Sequence, residues 1–325
     1  MAIHRRRLLS LAGCVLGLPA IARRAWAQAY PARPVRMIVG FPPGGGADTV
    51  ARIVGASLSE RLGQQVIIEN RPGAGSNIAS QAVVNSPPDG YTLLYYGASA
   101  IVNKILFPSL PFDLEQDIAP VSGLVDFPMV MVMHPSVPAT TVADIIAHSK
   151  ANSGKISMAS FGTGTASHLA GELFKMMAGV EMVHVPYRGG APMITDLIGG
   201  QVHVAFDVMV TSLPHIRTGA LRALGVAGAK RFYLLPNVPS IGETVPGYEA
   251  GTWAGVGAPR GTPADIIARL NHEVNAGLTD PIVKARLADV GTAPMIVTPE
   301  QFGAYVASES VKWSKVVKLA GIKPD

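Results

Sequence analysis

The chain has 325 residues, 15% of them charged, a formal net charge of +5 and a single cysteine, Cys14. One cysteine excludes a disulfide framework and a cysteine-ligated metal site. Residues 1–27 hold five of the 27 basic residues and none of the 22 acidic ones, so the remaining chain carries 22 charges of each sign. That balance argues against nucleic-acid binding, which depends on clustered Lys and Arg.

Residues 1–27 are predicted to be a cleaved export signal. A basic start is followed by an apolar stretch, Leu8 to Ala22, and by the small-residue cleavage site Ala25-Trp26-Ala27. Arg5 to Leu9 also fits a twin-arginine signal, so the Sec and Tat routes both stay open. No apolar run beyond the signal reaches the roughly 18 residues that span a bilayer. We therefore expect a soluble periplasmic protein.

Strand and helix patterns alternate along the mature chain, which is typical of βαβ units in an α/β protein. Apolar runs predict strands at 35–41, 66–69, 92–96, 129–133, 156–160, 182–185, 202–206 and 221–226. Helical periodicity predicts helices at 47–62 and 166–178, each ended by a glycine. Thr262-Pro263 and Thr298-Pro299 predict two further helix starts, the second with a capping box through Gln301.

Two glycine-rich turns each join a predicted strand to a predicted helix, at Phe41 to Asp48 (FPPGGGAD) and at Ser160 to His168 (SFGTGTASH). Glycine removes Cβ crowding, and the first N–H groups of a helix have no internal partner, so such a turn can hold a carboxylate or phosphate. A tight turn that only packs a helix on a sheet is the alternative. Two similar turns about 120 residues apart suggest two lobes that face each other across a cleft.

The chain lacks residues that common enzyme motifs require. Met158 stands where a nucleophile elbow around Ser160 needs glycine, and no Lys follows the first glycine turn as a Walker loop requires. The chain also has no HExxH zinc motif, so we expect no cofactor and no metal. Ser160, His168 and Asp207 could form a triad only if the fold brought them together. A structural or ligand-donating role is favoured for His168.

Four further residues are candidates for ligand contact. Asp48 lies in the first turn of its predicted helix, where it could fix the turn or pair with an ammonium group. Asp207 follows the predicted strand 202–206, at the edge where ligands gather in open α/β sheets. Arg188 is a candidate counter-ion, or equally a surface charge. Ser99 follows a buried strand; of Tyr95 and Tyr96, before it, at most one can face the cleft, because they point to opposite faces.

Six ordered segments of the chain carry a family resemblance: Tyr30 to Arg52, Glu69 to Ser80, Pro88 to Leu94, Ser160 to Phe174, His184 to Val202 and Leu235 to Glu243. Through these segments, the chain resembles the Bug-type extracytoplasmic solute-binding receptors of tripartite tricarboxylate transporters over essentially its whole mature length. The resemblance implies a two-lobed, type II-like periplasmic binding protein of flytrap shape, each lobe a mostly parallel sheet flanked by helices. It implies one lobe at 28–127 plus 252–325 and the other at 128–251.

The resemblance also implies that the two glycine-rich turns grip a ligand carboxylate. Three residues depart from the family pattern: Gly40 in place of a usual Pro, Ser76 in place of a usual Gly, and Phe161 in place of a small residue. The identity of the acid is therefore left open. The predicted ligand-binding residues are Phe41, Pro43, Gly44, Gly45, Gly46, Asp48, Ser99, Ser160, Phe161, Gly162, Thr163, Gly164, Thr165, His168, Arg188 and Asp207.

The function expected from these observations is capture of a small carboxylate in the cleft and its delivery to a membrane permease. We expect a monomer, because a flytrap must open and close. Two alternatives are a ligand sensor for a membrane kinase and, on paper, a secreted serine hydrolase using Ser160 and His168.

Overall fold

A computed structural model describes residues 30–107 and 109–321 of the chain. The predicted export signal at 1–27 lies outside these residues. The described chain forms two β-sheets with helices packed around them. Within these residues, no helix combines the length and the apolar character needed to cross a lipid bilayer.

The first sheet has six strands in the order β11-β4-β10-β3-β1-β2. Their bounds are β1 Val35–Val39, β2 Val66–Asn70, β3 Thr92–Gly97, β4 Ile118–Phe127, β10 Thr252–Pro259 and β11 Ala293–Pro294. β1 pairs in parallel with β2 and with β3. β10 is antiparallel to β3 and to β4, and β11 is antiparallel to β4.

The second sheet has five strands in the order β7-β6-β8-β5-β9. Their bounds are β5 Met129–Met133, β6 Ser157–Ser160, β7 Val183–Pro186, β8 Val204–Val208 and β9 Arg222–Val226. β6 is parallel to β7 and β8, whereas β5 is antiparallel to β8 and β9. Both sheets are therefore mixed, which corrects the expectation of mostly parallel sheets. The antiparallel pairs involve β4, β5 and β10, the strands beside the points where the chain passes between the sheets.

Eleven α-helices are described. They are α1 Gly46–Leu62, α2 Asn77–Val84, α3 Ala98–Leu106, α4 Leu114–Asp117, α5 Val142–Ala151, α6 Ala166–Ala178, α7 Gly190–Ile198, α8 Met209–Arg217, α9 Ala264–Thr279, α10 Pro281–Asp289 and α11 Pro299–Ala320. The helices predicted at 47–62 and 166–178 are confirmed, and Gly63 and Gly179 end them in the left-handed conformation. The capping box of Thr298 with Gln301 is also confirmed. Thr262 does not cap α9, since its hydroxyl donates to the Pro259 carbonyl at 2.8 Å.

The chain passes between the two sheets at two places. β4 ends at Phe127 and β5 begins at Met129, so only Pro128 separates a strand of one sheet from a strand of the other. The return passage precedes Thr252, where β10 begins. The largest buried apolar cluster contains residues from both sheets. The buried core is therefore continuous between the two sheets, and the site described next lies between them.

Candidate ligand-binding site

A cavity lies between the two sheets, where several strands end and helices begin. Its wall contains Phe41, Gly45, Gly46, Ala47, Ser76, Tyr95, Gly97, Ala98, Ser99, Phe127, Phe161, Ala166, Gly190, Val208, Thr211, Thr252 and Trp253. Within the described part of the chain, the wall has no Asp, Glu, His, Lys or Arg. The cavity is therefore lined by apolar side chains, hydroxyl groups and backbone.

Five helices begin at the cavity wall: α1, α3, α6, α7 and α8. Four of them have an N-cap residue whose side chain makes no capping hydrogen bond, namely Gly45, Gly97, Gly189 and Val208. Only Thr165, before α6, caps its helix with a side chain. The first N–H groups of a helix lack internal partners, and the N-terminus carries about half a positive charge. The cavity is therefore suited to an anion although no cationic side chain lines it.

Asp48 fixes the first glycine-rich turn through hydrogen bonds of its carboxylate. Its carboxylate accepts hydrogen bonds from Gly44 N at 3.0 Å, Arg52 Nε at 2.9 Å and Asn70 Nδ2 at 3.0 Å. Burial alone would raise the pKa of Asp48, but the hydrogen bonds from Arg52, Gly44 and Asn70 outweigh it and hold the pKa below its usual value. The side chain is therefore an anion that fixes the turn. Gly45 lines the cavity, while Asp48 does not.

The second glycine turn is fixed by Ser160, Thr165 and His168. Ser160 Oγ accepts a hydrogen bond from Gly162 N at 3.1 Å, and Thr165 Oγ1 donates to Gly162 O at 2.7 Å. Gly164 N donates to His168 Nδ1 at 3.2 Å. None of these residues lines the cavity, in contrast to the neighbouring Phe161. They hold the conformation of the turn without lining the cavity.

The hydrolase triad is not assembled. The Ser160 hydroxyl lies 2.7 Å from His184 Nε2, and the ring of His168 stacks on His184 with centroids 3.8 Å apart. His168 Nε2 is instead 3.6 Å from a carboxylate oxygen of Glu172. Asp207 bonds to two hydroxyl groups and to no histidine within the described residues. Ser160 is also fully buried, so a substrate carbonyl has no access to it.

Asp207 lies inside β8 rather than after a strand, as the predicted bounds had it. Its carboxylate accepts hydrogen bonds from the hydroxyl groups of Thr211, at 2.6 Å, and Ser212, and from Val208 N at 2.8 Å. Burial raises the pKa of Asp207 to about 6, although these three hydrogen bonds oppose the shift. Asp207 does not line the cavity, but Thr211 and Val208 do. It therefore positions the start of α8.

A wider opening adjoins the cavity. Phe41, Ser76 and Phe161 line both spaces, so they stand between the inner cavity and the opening. The opening also contains Gly162, Thr163 and Arg188 of the predicted site. Arg188 is exposed at this mouth rather than inside the cavity.

The predicted residues thus fall into three groups. Phe41, Gly45, Gly46, Ser99 and Phe161 line the cavity; Gly162, Thr163 and Arg188 line only the opening; Pro43, Gly44, Asp48, Ser160, Gly164, Thr165, His168 and Asp207 line neither. Of the two tyrosines on β3, Tyr95 lines the cavity and Tyr96 does not. Ser76, Phe127, Val208 and Thr252 are wall residues that sequence reasoning did not place in the site.

Ser76 is marked by its backbone conformation, which cannot be read from the sequence. Its φ of 77° is in the left-handed region, which non-glycine residues adopt at a cost. A Cβ on Gly40 would lie 2.2 Å from Ser76 Cβ, so the glycine at 40 is what makes room for the serine. These are two of the three positions at which the sequence resemblance implies a departure from the family pattern. Position 40 therefore has no room for a side chain beside Ser76, which lines the cavity.

Comparison with known proteins also indicates a solute-binding receptor. The family model described as "Tripartite tricarboxylate transporter family receptor" matches residues 50–322. Protein BugT of Bordetella pertussis (strain Tohama I) is 39% identical over 324 residues, covering 99% of each chain. A structure titled "R. palustris Rpa4515 with adipate" has 38% identity and a TM-score of 0.89, covering 91% of this chain and all of that one.

A further structure, MatC (Rpa3494) from Rhodopseudomonas palustris with bound malate, has 32% identity and a TM-score of 0.84, and covers 89% of this chain and all of its own. The resemblance and the periplasmic-binding-protein fold predicted from the sequence are confirmed by these likenesses. The chain belongs to the family of tripartite tricarboxylate transporter receptors and is a periplasmic-type solute-binding receptor rather than an enzyme.

Proposed function

We propose that this receptor captures a small carboxylate in the cavity between its two sheets and delivers it to the membrane permease of a tripartite transporter. The observation that carries the proposal is the convergence of five helix N-termini, four of them uncapped by side chains, on one cavity without charged side chains.

Backbone N–H groups suit a buried carboxylate better than they suit a neutral ligand. A carboxylate loses strong hydration on burial and needs several hydrogen bonds in return. Donors at the start of α1, near Gly45 and Gly46, and at the start of α6, near Ala166, line the same space. We place the carboxylate between these two helices, one from each sheet, so that binding draws the sheets together.

The proposal includes two lobes that move relative to each other. We assign residues 28–127 and 252–325 to one lobe and 128–251 to the other, because the first sheet takes its strands from 35–127 and 252–294 and the second from 129–226. Pro128 and the segment before Thr252 are then the natural hinges. We further propose that the protein is exported to the periplasm by residues 1–27 and acts as a monomer.

The relatives guide the choice of ligand to test. One solved relative holds adipate and another holds malate. Thermal unfolding of residues 28–325 should therefore be measured with adipate, malate, citrate and simple monocarboxylates, after refolding to remove any co-purified acid. A ligand at 100 times its dissociation constant stabilises the folded state by about 2.7 kcal/mol. A raised midpoint with at least one acid supports the proposal, and no shift across the panel would contradict it.

A further inference from the structure

Residues 74–76, which we call the mouth segment, have an unusual backbone. Ala74, Gly75 and Ser76 follow one another with φ values of 47°, 59° and 77°, all in the left-handed region. All three line the opening, and Ser76 also lines the cavity. Non-glycine residues adopt this conformation at a cost, and it persists only where the surrounding structure fixes it. A neighbouring group must therefore hold the mouth segment in place.

That group is the side chain of Asn103, on α3. It is fully buried, and its Nδ2 donates hydrogen bonds to Gly75 O at 2.7 Å and to Asn77 Oδ1 at 2.8 Å. The Gly75 carbonyl can only accept, so the nitrogen of the amide must face it. Asn77 is the first residue of α2. One side-chain amide thus fastens the mouth segment to α3 and to the start of α2.

The mouth segment and α3 meet the second glycine-rich turn, which follows a strand of the other sheet. A Cβ on Gly75 would lie 3.5 Å from Thr163 O. A Cβ on Gly164 would lie 2.4 Å from Leu106 Cδ1 and 3.3 Å from Asn103 Oδ1. The two glycines therefore allow the two sides to approach closely. The mouth of the cavity is bordered by a contact between elements of the two sheets, and Asn103 lies next to that contact.

The contact leaves one polar atom unpaired. Asn103 Oδ1 is buried and has no hydrogen-bond partner among the described residues, and Gly164 is one of the residues that cover it. An unpaired buried acceptor is costly, whereas water can pair with it once the two sides separate. A bound acid that draws the sheets together would offset this cost. Asn103 lines neither the cavity nor the opening, so it acts without contacting the acid.

We propose that Asn103 is a positioning residue for closure of the receptor over its ligand. It holds the mouth segment in the shape on which the second glycine-rich turn closes, and so slows release of the acid. This inference rests on the proposed function, because it presumes an acid bound between the two sheets. Without Asn103, the mouth segment relaxes from its left-handed conformation, and the turn loses the surface on which it rests. Release then becomes faster, while entry into the open receptor is unaffected.

The test compares two asparagines that make similar hydrogen bonds. Asn271 Nδ2 donates to Val121 O at 2.8 Å and to Val297 O at 2.9 Å, and none of these three residues lines the cavity or the opening. Asn271→Ala is therefore a matched control for Asn103→Ala. The association and dissociation rate constants of adipate are measured for residues 28–325 by stopped-flow fluorescence of Trp253, which lines the cavity. If adipate does not bind, the panel acid with the largest thermal shift replaces it. Urea unfolding gives the stability of each variant.

In Asn103→Ala we expect adipate to dissociate about tenfold faster, because closure then has to restore a strained segment that nothing holds. The association rate constant should stay within about twofold of the wild-type value. Asn271→Ala should lose stability to urea but keep both rate constants. Asn77→Ala removes only one of the two acceptors of Asn103, so it should accelerate dissociation by less, about threefold. It also replaces Asn103→Ala as the test if that variant does not fold.

Different failures have different meanings. If the acid binds the wild type and leaves Asn103→Ala and Asn77→Ala no faster, the inference is overturned and carboxylate capture stands. The same holds if Asn271→Ala accelerates dissociation as much as Asn103→Ala does, because the effect would then be a general loss of stability. Slower association with unchanged dissociation would also overturn the inference. If no acid of the thermal panel binds the wild type, the proposed function and the inference both fall.

Discussion

Gly45 offers the sharpest test of the proposed carboxylate site. It is the N-cap of α1, is buried, lines the cavity and has an ordinary extended conformation with φ −84°. A Cβ at this position would meet nothing closer than Pro42 O at 3.8 Å and Ala191 N at 3.9 Å. Gly45→Asp therefore places a carboxylate at the cavity wall without a steric clash. Asp is also a favoured N-cap, so the helix itself should not suffer.

The size of the effect follows from charge repulsion. Two unit charges about 5 Å apart at an effective dielectric constant of about 20 repel by about 3 kcal/mol, which weakens binding roughly a hundredfold. Gly45→Asn is the matched control, because asparagine has nearly the same shape, is an equally good N-cap and carries no charge. The aspartate also occupies N–H groups that the ligand would use, and the asparagine oxygen does so without the charge.

The assay is calorimetric titration of the best acid from the thermal panel into wild type, Gly45→Asp and Gly45→Asn at neutral pH. Urea unfolding of each protein checks that the two variants are equally stable. Affinity within about threefold for the two variants would refute the idea that an anion sits at the start of α1. Gly164 is a poorer probe, because its φ is 77° and a Cβ there would lie 2.4 Å from Leu106 Cδ1.

Three further predictions concern stability, each measured by urea unfolding. Ser76→Gly should stabilise the protein by about 1 kcal/mol by relieving a left-handed φ, while Gly40→Ala should destabilise it; combining the two should recover part of the loss, and strict additivity would contradict their contact. Asp207, with a pKa raised to about 6, contributes stability that is full below the unfolded value of 3.8 and is lost as pH rises through 6. Between about pH 4 and pH 7, the free energy of unfolding of Asp207→Asn should therefore rise by up to about 3 kcal/mol relative to that of the wild type. If the free energies of unfolding of the two proteins change equally with pH, the assignment is contradicted. Thr298→Ala should cost about 1 kcal/mol by removing the cap of α11, whereas Thr262→Ala should lose only a turn hydrogen bond; equal losses from the two would count against the cap.

The sequence was most informative where local chemistry decides structure. α6 begins and ends at the predicted residues, because Thr165 caps it and Gly179 stops it in the left-handed conformation. Both glycine-rich turns were found for the same reason, since glycine next to an apolar run is a local signal. β4 and β10 were missed. Their glycines are atypical of strands, and only the fold explains them: a Cβ on Gly255 would lie 1.9 Å from the ring of Phe302.

The helix N-termini of the site explain why the rest of it was not predicted. Sequence reasoning finds a helix start by its Ser, Thr, Asp or Asn cap. α3 and α7 begin after Gly97 and Gly189, and α8 begins after Val208, so this signal is missing. Without these caps, the first N–H groups of the three helices have no side-chain acceptor from the N-cap residue, although Met209 N of α8 donates to the Pro128 carbonyl at 2.9 Å. The site is therefore hard to recognise from sequence because of the property that fits it for an anion.

In the proposed function the groups that bind the anion are peptide N–H groups, and this separates two tasks that most binding sites combine. Peptide groups do not titrate, and any substitution other than proline changes a side chain without deleting the N–H group. The residues around Tyr95 and Phe161 can therefore be varied to select different acids, while the affinity for a carboxylate is retained in the chain's own backbone. This makes the cavity wall around Tyr95 and Phe161 the place to begin in redesigning the receptor as a biosensor for other organic acids.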